Sequence, residues 1–151
     1  MHRKLIKNYV EILLLNEILR HRNIHGYGLI SLIEKRLGFK PSPSMIYPLL
    51  RRLKERGLIE SCEKLVGSKK VVVYKITKRG REYLENNMDL LLKAREYEKK
   101  LLLAKDIGLL SLANTLRELM NVIDKLDEEK LKQLSFVIEE FSNRIRRIMG
   151  G

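Results

Sequence analysis

The stretch Ser42-Pro43-Ser44-Met45-Ile46-Tyr47-Pro48-Leu49-Leu50-Arg51-Arg52-Leu53-Lys54-Glu55-Arg56-Gly57-Leu58-Ile59 decides how this 151-residue chain is read. Ile46, Leu49, Leu50 and Leu53 stand at i, i+3, i+4 and i+7, the spacing of a single apolar stripe along a helix. Ser44, Pro48, Arg51 and Glu55 then point the other way, with Tyr47 and Arg52 on the flanks. Gly57 ends the helix as a residue free to take the left-handed conformation. Pro48 has no N–H to give to a helix interior. Of the two candidate capping serines, Ser44 as N-cap limits the loss to the first intrahelical bond. The second-ranked alternative starts the helix at Pro48, with Tyr47 as a poor cap.

Outward from this helix the chain punctuates itself. Apolar residues crowd Leu5 to about His21, predicting a helix covered on most sides. Asn23-Ile24-His25-Gly26 reads as a turn, and a second helix follows with Tyr27, Leu29, Ile30, Ile33 and Leu37 at helical spacing before Gly38. Beyond the quoted stretch, Leu58–Val66 and Val71–Ile76 read as strands joined by Gly67-Ser68-Lys69-Lys70, a hairpin. Cys62 falls in the first of them and is expected as a small buried hydrophobe. Thr77 caps a further helix.

The remainder reads as helical. Tyr83, Leu90, Ala94, Tyr97, Leu101 and Ala104 keep a seven-residue phase from Thr77 to about Asp106, missing one beat at Asn87. Gly108 breaks it. Leu109, Leu112, Leu116, Leu119, Ile123 and Leu126 alternate three–four spacings, and after Asp127, a natural N-cap, Leu131, Leu134, Ile138, Phe141, Ile145 and Ile148 do so again. This is the pattern of helices packed at shallow angles, whose seams must bury against each other or against a second chain. The expected fold class is mainly α with a small β-hairpin. A winged helix-turn-helix DNA-binding domain is expected over residues 1–84, and a C-terminal helical dimerisation region over residues 85–151.

Composition narrows the function. Hydrophobic residues at 44% supply a core, so the chain is not disordered. Apolar runs such as Ile12–Leu15 and Leu101–Ala104 reach four residues, far short of a membrane span of about 18 or more. The opening Met1-His2-Arg3-Lys4-Leu5-Ile6-Lys7-Asn8 lacks the layout of a secretory signal, and a cytoplasmic protein without membrane partners is expected. One cysteine excludes an internal disulfide and a multi-cysteine metal cluster. His2, His21 and His25 have no metal-ligand spacing, no phosphate-binding glycine loop is present, and no nucleophile stands beside an ordered base. The reading is therefore no enzyme, no cofactor and no metal.

The formal net charge of +12 is unevenly placed: residues 1–84 hold nineteen Lys and Arg against seven Asp and Glu, and residues 85–151 hold twelve of each. A segregated positive surplus faces a polyanion. A helix with a polar, basic outer face after a helix and a turn fits the DNA major groove, and a lysine-bearing hairpin lies along the adjoining backbone or minor groove. The competing reading is an architectural or protein-interaction winged-helix protein that binds DNA non-specifically.

His25-Gly26-Tyr27-Gly28-Leu29-Ile30, the stretch 42–59 and Val73-Tyr74-Lys75-Ile76-Thr77-Lys78-Arg79-Gly80 together resemble the PadR family of winged-helix transcriptional regulators over about residues 5–85. Pro48 matches that family's usual proline inside the recognition helix. The resemblance implies a homodimer built on the C-terminal helices and the first helix, with one recognition helix per subunit in successive major grooves. It also implies repression of genes from a palindromic operator, relieved by a small-molecule effector near the dimer interface. The expected DNA-binding residues are Ser42, Ser44, Met45, Tyr47, Pro48, Arg51, Arg52, Lys69 and Lys70. The expected dimerisation residues are Leu131, Leu134, Ile138, Phe141, Ile145 and Ile148.

Overall fold

The computed structural model describes residues 2–150, with side chains from Ile6 onward. In chain order the elements are α1 (His2–Arg20), β1 (Ile24–His25), α2 (Gly26–Leu37), α3 (Pro43–Glu55), β2 (Ile59–Val66), β3 (Lys69–Ile76), α4 (Lys78–Asn86), α5 (Met88–Asp106), α6 (Leu109–Met120) and α7 (Glu128–Ile148). A single 3-10 turn, Ile123–Lys125, precedes α7. The chain forms two compact units, residues 1–107 and 108–151. No helix among the described residues is long and apolar enough to cross a membrane.

The first unit is a winged helix built around α1. Every residue from Val10 to Ile18 is buried, because α2, α3, α4, α5 and β3 all pack against this helix. Three of those nine are polar, and two carry charge. Glu11 accepts from Arg52 at 2.6 Å and from Arg56, while Glu17 accepts from Arg36, which also reaches Glu98 on α5 at 3.3 Å. A buried carboxylate left unpaired is strongly destabilising, so the apolar burial of α1 obliges these arginines to turn inward. The stripe of Ile46, Leu49, Leu50 and Leu53 is buried as its spacing predicts.

α3 begins one serine earlier than expected. Its N-cap is Ser42, and Ser42 Oγ lies 2.8 Å from Ser44 Oγ instead of capping a backbone N–H. Pro43, pre-set for the first helical position, explains this start. Pro48 therefore sits in the second turn, and the bond it forfeits is the one to the Ser44 carbonyl, not the first of the helix. At the other end the Leu58 N–H bonds to the Leu53 carbonyl and the Gly57 N–H to that of Lys54. This is a Schellman closure, with Gly57 at φ +68° and buried Leu58 and Leu53 at its apolar contact positions.

The sheet has order β1-β3-β2, all antiparallel. Ile24-His25, expected as a turn, forms β1, pairing Ile24 with Tyr74 and His25 with Val73. Two residues show no alternation, which is why the sequence conceals it. The hairpin turn is shorter than expected. Val66 pairs with Lys69, so only Gly67 and Ser68 form the turn, and Lys69 and Lys70 belong to β3. With Gly67 at φ +61° and no positive φ at Ser68, the turn matches the two-residue form whose twist suits antiparallel strands. Cys62 is exposed, not buried, because the strands outrun the core beyond Ser61.

The wing returns to the recognition helix through Thr77. Its N–H bonds to the Leu58 carbonyl at 3.1 Å and its hydroxyl donates to the Gly57 carbonyl at 2.7 Å. The same hydroxyl accepts from the Gly80 N–H at 3.0 Å, capping α4. The single long helix expected over 77–106 is in fact two, broken at Asn87, whose side chain bonds back to the Tyr83 carbonyl. A polar residue on the missed apolar beat has no core to enter.

In the second unit, α6 ends at Met120, so Ile123 lies in the 3-10 turn and Leu126 is extended. Asp127 caps α7 by accepting from the Lys130 N–H. Neither helix has a fully buried residue. Leu119, Ile123, Leu131, Leu134 and Ile138 share an open apolar groove.

Two stability predictions follow from the first unit. A Cβ at Gly80 would lie 2.0 Å from the Leu58 carbonyl oxygen, so Gly80→Ala should cost about 3 kcal/mol in urea unfolding. An unchanged midpoint would refute that contact. Burial pushes the Glu98 carboxyl above its usual range against the opposing pull of Arg36. The folded state thus binds this proton more tightly than the unfolded chain. Glu98 therefore subtracts stability as pH rises from about 4.5 through its raised pKa. Glu98→Gln removes that loss, and its unfolding midpoint relative to the wild type should improve between pH 4 and 7.

Candidate nucleic-acid interface

The outward side of α3 is solvent-facing within its unit. Ser42, Ser44, Pro48 and Arg51 are exposed, and Tyr47 is 39% exposed. Met45 is half-buried and packs against the core, so it shapes the edge of this face. Arg51 projects with its side chain 74% exposed, its Nε only 3.8 Å from Glu55, one turn on. An exposed pair of this kind contributes at most about 1 kcal/mol, so a phosphate or base edge can displace Glu55 from it.

Arg52 is placed differently. Its guanidinium turns to α1 and shares Glu11 with Arg56, which also stacks over the Tyr83 ring at 4.7 Å. The Arg56 pKa is raised, first by its interaction with the Tyr83 hydroxyl and then by Glu11, partly offset by burial. Of the two adjacent arginines, Arg51 faces outward without a core partner, and Arg52, its side chain still 46% exposed, also holds α3 to α1.

Two open cavities flank α3. The first, about 570 Å³, is lined by Lys7 of α1 together with Ser42, Ser44, Pro48, Arg51 and Arg52, over an apolar floor of Ile6, Met45 and Leu49. The second, about 380 Å³, lies between α3 and the wing and brings Tyr47 together with His25, Tyr27, Lys70, Val72 and Tyr74. Tyr47 reaches it over Gly26, where a Cβ would stand 2.7 Å from the Tyr47 hydroxyl oxygen, so a larger residue there would displace the ring. Burial raises the Tyr74 hydroxyl pKa, with a smaller contribution from Tyr47. Lys69 and Lys70 sit on the last rungs of the wing, and Lys70 Nζ is 3.8 Å from Glu63.

The structure thus gathers Ser42, Ser44, Pro48, Arg51 and Arg52 along one cavity of α3 and sets Tyr47 with Lys70 along the other. Lys7, His25 and Tyr27 share these cavities without having been singled out. His25 caps α2, its Nδ1 accepting from the Gly28 N–H at 3.0 Å, a role that a histidine seldom announces in sequence. The periodicity that could have flagged Lys7 was its place one turn before Glu11 on the same side of α1. Among the described residues no group of three or more His, Cys, Asp or Glu is placed to hold a metal ion.

Comparison with known proteins follows this geometry. Residues 14–86, which run from the buried part of α1 to the end of α4, match the model of the transcriptional regulator PadR-like family. The chain is 37% identical over 79 residues to the transcriptional regulator YqjI of Escherichia coli, covering 51% of this chain but only 37% of that protein. A PadR-like transcriptional regulator from Bacillus cereus superposes with a TM-score of 0.53 at 29% identity, over 66% of this chain and 96% of the other. A PadR-family regulator from Eggerthella lenta does so with a TM-score of 0.52 at 28% identity, over 68% of this chain and 88% of the other. Residues 14–86, the winged-helix part of the chain, thus match the PadR-like family of transcriptional regulators.

Proposed function

We propose that this protein is a sequence-specific DNA-binding regulator that acts as a homodimer on a palindromic operator, represses from it, and is released by a small effector. The observation that carries the reading is the outward side of α3. It presents Ser44, Pro48 and Arg51 to solvent while Ile46, Leu49, Leu50 and Leu53 fix its opposite side to the core and the Glu11–Arg52 pair ties its flank to α1. An α-helix held rigidly with short polar groups and one extended arginine outward is built for a major groove. Arg51 reads base edges, Ser42, Ser44 and Tyr47 position the helix, and Lys69 and Lys70 neutralise phosphates. Arg52, half-exposed beside them, reaches the phosphate backbone from the flank while its pair with Glu11 holds the helix. This work belongs to residues 1–84, in a cytoplasmic protein that catalyses nothing.

Residues 85–151 supply the second copy. Leu131, Ile138, Phe141 and Ile148 are exposed and Leu134 and Ile145 half-buried, all on a helix without one buried residue. An apolar seam of that length left in water is the mark of a protein interface. Two-fold pairing sets half-site centres about 34–36 Å apart.

Selection of bound duplexes from a random pool, followed by footprinting, tests the reading. A discrete palindromic site supports it, and uniform protection supports the non-specific architectural alternative. On the selected duplex, Arg51→Ala should weaken binding by about tenfold or more and relax the base preference. Lys69→Ala should weaken all duplexes alike and lower the salt slope by about one. Equal losses for both variants on selected and random duplex would contradict this division. Ile138→Asp places a charge in the seam and should give monomers by light scattering, whereas a persisting dimer would put the interface elsewhere.

A further inference from the structure

Away from α3, a further open cavity of about 490 Å³ lies in the corner where the end of α1 meets the base of the wing and the start of α4. Ile18 and Leu19 of α1 with Ile76 of β3 form its apolar floor. Around that floor stand Arg22, just beyond α1, Lys75 on β3 and Arg81 at the start of α4. No acid lines the cavity, and among the described residues none of these three cations has a carboxylate partner. Glu60 stands opposite Lys75 in the β2–β3 register without an ion pair between them. Three cations that share one hollow repel one another. The helix adds to the repulsion, because α4 begins with a positive partial charge and carries no acid in its first turn. DNA on α3 does not account for the arrangement. No residue of α3, of the wing beyond Lys75 or of residues 85–151 lines the corner, and a convex, charged duplex backbone would leave its apolar floor unfilled.

We propose that this corner is a binding site for a phosphate monoester carried on a small apolar body. The charge selects the phosphate. A monoester holds up to two negative charges near neutral pH and three acceptor oxygens, where a carboxylate holds one charge and two oxygens. The planar forks of Arg22 and Arg81 suit those oxygens bidentately, and Lys75 adds a compact third charge. The floor of Ile18, Leu19 and Ile76 takes the apolar body, and the volume lies in the range of small-molecule sites. The site is made of side chains and not of a helix end, since the Gly80 N–H is already taken by the Thr77 hydroxyl. A ligand held here joins the end of α1 to the β3–α4 junction, where Thr77 binds the Gly57 and Leu58 carbonyls at the end of α3. The site lies wholly within the first unit, and it does not depend on the regulator reading.

Isothermal titration of the full chain, without DNA, tests it with hexyl phosphate, hexanoate and inorganic phosphate as probes. Hexyl phosphate should bind about tenfold or more tightly than either of the others, and should raise the unfolding temperature once its concentration passes its Kd. Arg22→Gln and Arg81→Gln should each weaken hexyl phosphate by about tenfold, at an unchanged midpoint in urea. Leu19→Ser should narrow the gap between hexyl and inorganic phosphate by removing part of the floor. Arg51→Gln, on the outward side of α3, should leave the titration as it was. Equal binding of inorganic and hexyl phosphate overturns the inference in favour of loose counterion attraction, and equal binding of hexanoate overturns the choice of phosphate. Binding lost in Arg51→Gln but kept in Arg22→Gln and Arg81→Gln moves the anion to the α3 face and overturns it. A lower salt slope for duplex binding in Arg22→Gln or Arg81→Gln assigns the corner to DNA and overturns it as well. None of these results alters whether the chain protects a discrete operator, so the two readings fail separately.

Discussion

Burial of α1 on every side is the constraint from which the rest follows. A helix wrapped by four others and a strand can afford few polar groups, yet Glu11 and Glu17 lie within its covered stretch. Each must be neutralised where it sits, and the neighbours supply arginines: Arg52 and Arg56 from the recognition helix and its end, Arg36 from α2. Replacing such pairs with apolar residues is often neutral or stabilising, so they are weak evidence of added stability. Their geometric effect is firmer. The Glu11 cluster ties the flank of α3 that carries Arg52 to α1, while Arg51, one residue earlier, has no such tie.

A second set of bonds makes the recognition helix and the wing one rigid piece. The Schellman closure at Gly57 turns the chain directly into β2, and Thr77 then binds the Gly57 and Leu58 carbonyls as β3 leaves the sheet. Gly80 lets α4 approach the Leu58 carbonyl closely enough to complete the junction. Both ends of the hairpin are therefore tied within a few ångströms of the end of α3. Sub-ångström placement of contacting side chains requires support of this kind behind them.

Legibility followed the length of the signals. The stripe Ile46-Leu49-Leu50-Leu53, the glycines at 38 and 57, the Thr77 and Asp127 caps and the β-branched run Val71–Ile76 each extend over a turn or more, or involve a residue with one structural use, and each found its place. What escaped was shorter or depended on partners distant in sequence. β1 is two residues long and exists only because β3 accepts it. The pairing of Arg52 depends on Glu11, forty-one positions away. The break at Asn87 was visible as a missed beat but read as a lapse within one helix. Ser42 and not Ser44 is the cap because Pro43 between them is pre-set for the first helical position. The exposure of Cys62 reflects how far a hairpin extends past its core, which no local pattern encodes.

The wing pairs without a bulge over eight rungs, from Ile59–Ile76 at its base to Val66–Lys69 beside the turn. Successive residues on a strand face opposite sides, so one extra residue in only one strand would carry every position beyond it to the other side or force a bulge. The arm can therefore lengthen or shorten without scrambling its surface only by matched changes of two residues in each strand. An insertion of that matched kind moves the tip by about 6.8 Å. The reach of this arm is thus adjustable only in coarse steps, each of which leaves the body of the domain unaltered.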